Sequence, residues 1–274
     1  QIKKTIINDI GFEGISLVAA DDATADVSGK SWIFIGTVPI HNFTMNRCFL
    51  YAGSFNTTTE LVNRWAMQFS IANTSTDNNK NFLFDGCVFH FEGGGIWLNG
   101  CNDVKFTNCT FQTETSETAF VGLVEGVRID GSTVANSAYG GTDALVPGEI
   151  LFTGCNFRGR QTATSSTPDR GWIFVAPTYT GQMVKVTGCN FIGDIYGDAT
   201  TTSPVPLLNS VIRDGACITQ ASNSQISVSA NSFHSIGLGG CVLLHSGYST
   251  ITSNSFYECG SYIEGGWDTT LSFT

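Results

Sequence analysis

Residues 95–111 read Gly-Ile-Trp-Leu-Asn-Gly-Cys-Asn-Asp-Val-Lys-Phe-Thr-Asn-Cys-Thr-Phe, and this run decides the fold. Its last eight residues form a phrase: apolar, any, apolar, two turn-forming residues, a small or thiol residue, any, then Phe. The phrase stands before it as Phe-Leu-Phe-Asp-Gly-Cys-Val-Phe at 82–89 and after it as Val-Arg-Ile-Asp-Gly-Ser-Thr-Val at 127–134. It returns as Ile-Leu-Phe-Thr-Gly-Cys-Asn-Phe at 150–157 and Val-Lys-Val-Thr-Gly-Cys-Asn-Phe at 184–191. Ile-Ser-Val-Ser-Ala-Asn-Ser-Phe at 226–233 and Ser-Thr-Ile-Thr-Ser-Asn-Ser-Phe at 249–256 complete the set. The third position falls at Phe84, Phe106, Ile129, Phe152, Val186, Val228 and Ile251, in steps of 22, 23, 23, 34, 42 and 23 residues. A recurring period of this size makes each repeat one unit that stacks on its neighbours.

Within a copy the alternation has period two. Val104 and Phe106 face one way, Lys105 and Thr107 the other, and Cys109 and Phe111 return inward after a bend at Asn108. Such alternation marks half-buried strands. The bend positions hold Gly86, Asn108, Gly131, Gly154 and Gly188, residue types that tolerate a left-handed backbone. A third strand is expected before each corner, at 95–99, 172–175, 216–219 and 241–244. Three short strands and their turns consume about 22 residues, and the chain length then accommodates about twelve coils in a rod ~55 Å long.

The 95–111 run closely resembles the coil repeat of right-handed parallel β-helix proteins. That family includes pectate-lyase-like enzymes, several glycoside hydrolases and bacteriophage tailspikes. The resemblance implies an all-β, single-stranded parallel β-helix with three short strands per coil. We read 1–274 as a single domain, with clear repeats over 80–274 and less regular coils over 1–80. Irregular versions at 32–40 and 47–55 place the start of the coil before residue 80. Leu271-Ser272-Phe273 reads as the first strand of a further corner, so the chain is expected to be a segment of a longer protein.

Composition narrows the partners. Lys and Arg number 13 against 23 Asp and Glu, a net charge of −10, and charged residues make up only 13% of the chain. No basic patch is present to neutralise phosphates, which argues against nucleic acid and anionic membranes. No apolar run approaches the 18 residues of a membrane span, so membrane insertion is not expected. Asn, Thr, Ser and Gly dominate the polar positions, a surface suited to neutral polar ligands. The nine cysteines are odd in number, and Cys87, Cys109, Cys155 and Cys189 share one phase, interrupted by Ser132. They read as buried free thiols acting as small core residues, which favours synthesis in a reducing cytoplasm.

Chemistry on such a scaffold belongs to outward strand residues and to insertions. One insertion carries Arg158, Arg160, Asp169 and Arg170; another carries Asp194, Tyr196, Asp198, Arg213 and Asp214; a third runs from Ala135 to Glu149. All three follow the last strand of a phrase, which places them at one corner of the coil. Glycoside hydrolysis needs two carboxyl groups in facing positions, and Asp169, Asp194, Asp198 and Asp214 are the candidates for acid, base or nucleophile. Trp97, Trp172 and Tyr196 are candidate platforms for sugar rings, with Arg160, Arg170, Arg213 and Glu264 as further substrate-binding candidates. The same aspartates also suit turn capping or pairing with the nearby arginines. The four histidines lack metal-ligand spacing, Gly93-Gly94-Gly95 opens no helix, and nothing calls for a metal or cofactor.

The sequence therefore points to a tailspike- or tail-fibre-like β-helix that binds a bacterial surface polysaccharide and depolymerises it. It is expected to be a homotrimer, made in the bacterial cytoplasm and carried on the virion. The alternatives are a secreted monomeric polysaccharide lyase or hydrolase, and a non-catalytic adhesive shaft.

Overall fold

The computed structural model describes residues 7–18, 33–35, 40–52, 65–69, 79–91, 94–112, 125–130, 149–159, 172–176, 183–193, 217–220, 224–236, 241–244, 248–257, 259, 263–265 and 270–273. These residues form three parallel sheets wound from one chain. The first sheet has nine strands: Ile7–Glu13, Ile40–Asn46, Asn79–Asp85, Cys101–Thr107, Glu149–Thr153, Met183–Thr187, Gln225–Ser229, Tyr248–Thr252 and Thr270–Phe273. The second has eight: Ser16–Val18, Phe49–Ala52, Val88–Phe91, Thr110–Gln112, Asn156–Arg158, Asn190–Ile192, Ser232–His234 and Ser255–Tyr257. The third also has eight: Ile33–Ile35, Trp65–Phe69, Gly94–Asn99, Glu125–Asp130, Ile173–Val175, Ile218–Gln220, Val242–Leu244 and Ile263–Gly265. Each strand pairs with its counterpart one coil away, which makes the chain a right-handed parallel β-helix. Among the described residues the coils number nine, against the twelve or so expected, and span about 40 Å at the usual strand spacing. The long connections take up the rest of the chain.

The sequence phrase marks the corner between the first and second sheets. Its bend residues form a column in the left-handed region: Gly14, Arg47, Gly86, Asn108, Gly154, Gly188, Ala230 and Ser253, with φ between 49° and 64°. Left-handed φ at this point turns the chain while keeping its N–H on the ladder. Gly86 donates to Thr107 O at 2.9 Å, Asn108 to Thr153 O at 2.9 Å and Gly188 to Ser229 O at 3.1 Å. From Gly14 to Ala230, each bend N–H in this column donates to a backbone carbonyl of the next coil.

One copy of the phrase was out of phase. The strand Glu125–Asp130 pairs with Gly94–Asn99 and Ile173–Val175 in the third sheet, so Ile129 stands between Leu98 and Val175. Phe106 pairs directly with Phe152. Gly131 and Ser132 lie outside the described residues, and the column of bends passes from Asn108 straight to Gly154. The thiol ladder is therefore uninterrupted, and longer by one rung than its sequence spacing implied. Cys48, Cys87, Cys109, Cys155 and Cys189 follow one another in successive coils, all buried and all free. Asn231 and Asn254 continue the same position.

The core behind these corners is built of like residues stacked on like. Phe89, Phe111, Phe157, Phe191, Phe233 and Phe256 form one column, with centroid spacings from 4.6 to 5.2 Å. Phe84, Phe106 and Phe152 form a second at 4.6 and 4.8 Å. Parallel in-register strands force these spacings, and offset stacking adds roughly 0.5–1.5 kcal/mol per pair beyond burial.

Candidate functional site

The three corners differ in what they connect. The corner between the first and second sheets is short in every coil. The second-to-third connection lengthens from Gln112 to Glu125, from Arg158 to Ile173 and from Ile192 to Ile218. The third-to-first connection lengthens from Asp130 to Glu149. The third sheet is thus the one face bordered on both edges by long segments. The 135–149 insertion belongs to the third-to-first edge, so it does not share a corner with the other two. Glu149 is a first-sheet residue paired with Lys185.

On the outer side of the third sheet, Gln68, Trp97, Arg128, Phe174 and Thr219 follow one another in register over five coils. Alternation dictates this row, because Ile96 and Leu98 are fully buried and leave Trp97 outward, as the sequence implies. The Arg128 guanidinium lies 6.0 Å from the Trp97 ring and 5.5 Å from the Phe174 ring, within cation–π range of both. Asp130, two residues on and on the same face, binds the pair together. Its Oδ2 accepts from Trp97 Nε1 at 2.7 Å and from Arg128 Nε, while Oδ1 accepts from the other guanidinium branch at 3.4 Å. The Asp130 side chain is 8% exposed and that of Arg128 27%. A carboxylate so far from water needs its counter-charge, and this one has it.

The chemistry of the cluster follows from these contacts. Arg128 and Asp130 neutralise each other, so this pair adds no net charge to the face. The Trp97 N–H is already donated, which leaves the indole as a partly exposed apolar surface with the Gln68 amide one coil away. Phe174 and Thr219, at 5% and 1% exposure, continue the row as buried residues toward Leu243 and Glu264. The accessible part is Gln68, Trp97 and Arg128: an aromatic plane beside a neutral donor–acceptor and a held guanidinium.

Of the residues singled out in the sequence, Trp97 is on this face. Trp172 is not. It is 2% exposed, its ring lies 5.8 Å from that of Phe157, and it belongs to the core. Gly126 permits that packing, since a Cβ there would lie 2.6 Å from the Trp172 carbonyl oxygen. Glu264 lies on the third sheet in register with Leu243, and its side chain is outside the described residues. Asp169, Arg160 and Arg170 fall between Arg158 and Ile173; Asp194, Tyr196, Asp198, Arg213 and Asp214 fall between Ile192 and Ile218. These eight lie outside the described residues, in connections that reach the same sheet edge from consecutive coils. Among the described residues, no group of three or more His, Cys, Asp and Glu could hold a metal ion.

Arg128 and Asp130 were missed in the sequence because Val-Arg-Ile-Asp at 127–130 was read as a corner phrase. Aligned instead on Ile-Trp-Leu-Asn at 96–99, Arg128 falls beside Trp97 and Asp130 beside Asn99.

The architecture defines a β-solenoid in which long connections border the outer face of the third sheet. Residues 70–212, just over half of the chain, match the family described as the right-handed beta helix region, and the chain belongs to that family. No curated protein and no solved structure matches it.

Proposed function

We propose that this β-helix is a tailspike-like protein that holds a bacterial surface polysaccharide on the outer face of its third sheet. The observation that carries the reading is the Trp97–Arg128–Asp130 cluster. It offers an aromatic plane with its N–H withdrawn, a fixed guanidinium and an adjacent amide, all without net charge. That combination suits the apolar face and hydroxyl edge of a sugar ring. Family membership supports the same class, since polysaccharide-binding and polysaccharide-degrading proteins use this fold.

Cleavage, in this reading, draws its carboxyl pair from Asp169, Asp194, Asp198 and Asp214, in the two connections that border Trp97's sheet. One residue acts as general acid and the other as base or nucleophile. A homotrimer carried on a virion, after synthesis in a reducing cytoplasm, accords with nine free thiols and an acidic, sparsely charged surface. A glycan array followed by a reducing-end assay tests binding and cleavage in turn. Trp97→Ala should lower glycan affinity, and alanine at the four aspartates should abolish release of reducing ends while binding persists. Failure of every bacterial polysaccharide to bind would remove the proposal. Mass determination in solution tests the trimer.

A further inference from the structure

The second sheet carries an outward pattern that the third-sheet site does not use. Near its C-terminal end two rows run side by side along the helix axis. One row is Ile192, His234 and Tyr257, in register through successive coils. Ile192 is 40% exposed and Tyr257 58%, and His234 is exposed between them. The second row is Asn190, Ser232 and Ser255, two residues earlier in each strand and on the same face. The rows are therefore separated by about 7 Å across the sheet and repeat about every 4.8 Å along it.

The apolar row is held in place. The His234 and Tyr257 rings lie 4.7 Å apart at 33°, and His234 Nδ1 is 2.8 Å from the Ser235 hydroxyl. Two neighbouring rings fixed before a ligand arrives lose little freedom on binding. None of the six side chains carries a fixed charge, in a protein whose net charge is −10. Arg158 stands one coil before Ile192, outside the three pairs.

We infer that this strip is a second glycan-binding surface, one that takes a neutral polysaccharide laid along the helix axis. Rings of the sugar backbone pack on Tyr257, His234 and Ile192, while Asn190, Ser232 and Ser255 exchange hydrogen bonds with its hydroxyls. Each amide and hydroxyl in that row has both donor and acceptor capacity, matching a sugar hydroxyl in either role. The inference rests on the polysaccharide reading given above, but on different residues and a different sheet. Its function is avidity, since a long chain held at both faces dissociates more slowly than a short one.

The test uses the full chain and immobilised neutral polysaccharides (dextran, galactomannan and an uncharged O-antigen), each beside its own disaccharide unit. The paired substitution Tyr257→Ala with His234→Ala removes both rings and should weaken polymer binding at least about tenfold. It should leave disaccharide binding and the melting temperature unchanged, whereas Trp97→Ala should weaken both ligands. Unchanged polymer affinity in the paired variant overturns the strip and leaves the third-sheet site standing. A change in solution mass would reassign the strip to contact between copies and overturn it as well. If none of the three polymers binds the unsubstituted protein, the strip falls, and charged bacterial polysaccharides then decide the third-sheet reading separately.

Discussion

Trp97 Nε1 donates to Asp130 Oδ2 at 2.7 Å across the step between two coils, and the same carboxylate holds Arg128. Asp130 is therefore the residue on which the exposed geometry of the third sheet depends. Asp130→Ala removes the acceptor of the indole N–H and a carboxylate paired with Arg128. Because Arg128 is partly exposed, the cost is below that of a fully buried pair, about 2 kcal/mol by urea denaturation. Asp130→Asn keeps an acceptor for Trp97 and should lose about half as much. Equal stability of the alanine variant and the parent would show that the carboxylate is not the anchor.

The Cys-to-Asn change along the inner corner has its own energetic signature. Cys87, Cys109 and Cys155 each donate a thiol hydrogen to the carbonyl of Met45, Phe84 and Phe106, at 3.2 to 3.4 Å. Asn231 and Asn254 make the equivalent bond to Val186 and Val228, both at 2.9 Å. Asn231 adds what a thiol does not, since its Oδ1 accepts from the Cys189 backbone N–H at 2.8 Å. Asn231→Ala removes both partners from buried groups and should cost about 2–4 kcal/mol. Asn231→Cys restores the donor alone and should cost roughly half of that. Chemical denaturation of the two variants should rank them in that order. The reverse order would mean that the asparagine bonds are incidental.

Much of the fold was legible because stacking repeats its demands. A corner that needs a left-handed residue, then a small inward one, then Phe, writes the same phrase in coil after coil. The phrase misled at 127–134, where Ile129 and Asp130-Gly131 imitate a corner although the strand belongs to another sheet. Periodicity fixes which residues alternate inward, and it was silent on which sheet they line. Trp97 could be placed outward because Ile96 and Leu98 flank it, whereas Trp172 opens a strand whose residues are all buried, with no alternation to read. The aspartate candidates sit between strands, where no period constrains them.

The left-handed column offers a stabilising substitution. Ala230 holds φ at 54°, a region that costs a residue with a Cβ roughly 1–2 kcal/mol. Ala230→Gly relieves that strain but loosens the unfolded chain, so the net gain should be about 0.5–1 kcal/mol. Gly188→Val, at φ 64°, runs the other way and should destabilise by more than 1 kcal/mol. Thermal melts of both variants check the pair, and a lower melting temperature for Ala230→Gly would contradict the strain argument.

Stability should fall at alkaline pH, and the thiols set the window. Burial pushes Cys101 up from an ordinary 9.0 to about 12, against an opposing hydrogen bond with the Asn79 side chain. Burial likewise raises Cys217 and Cys241. Above pH 9 the unfolded chain loses thiol protons that the folded chain keeps, so ionisation favours unfolding. The contribution is intact below pH 9 and declines as pH rises toward 12, by about 1.4 kcal/mol per pH unit for Cys101. Urea midpoints measured from pH 7.5 to 10.5 should drop progressively above 9, and Cys101→Ala should make that decline shallower by one proton's worth. The same burial predicts that Cys101 resists iodoacetamide in the folded protein at pH 8.5 and reacts once urea unfolds it. Rapid labelling of Cys101 in the native state, or an unchanged slope in Cys101→Ala, would show that its thiol ionises as freely in the fold as in the open chain.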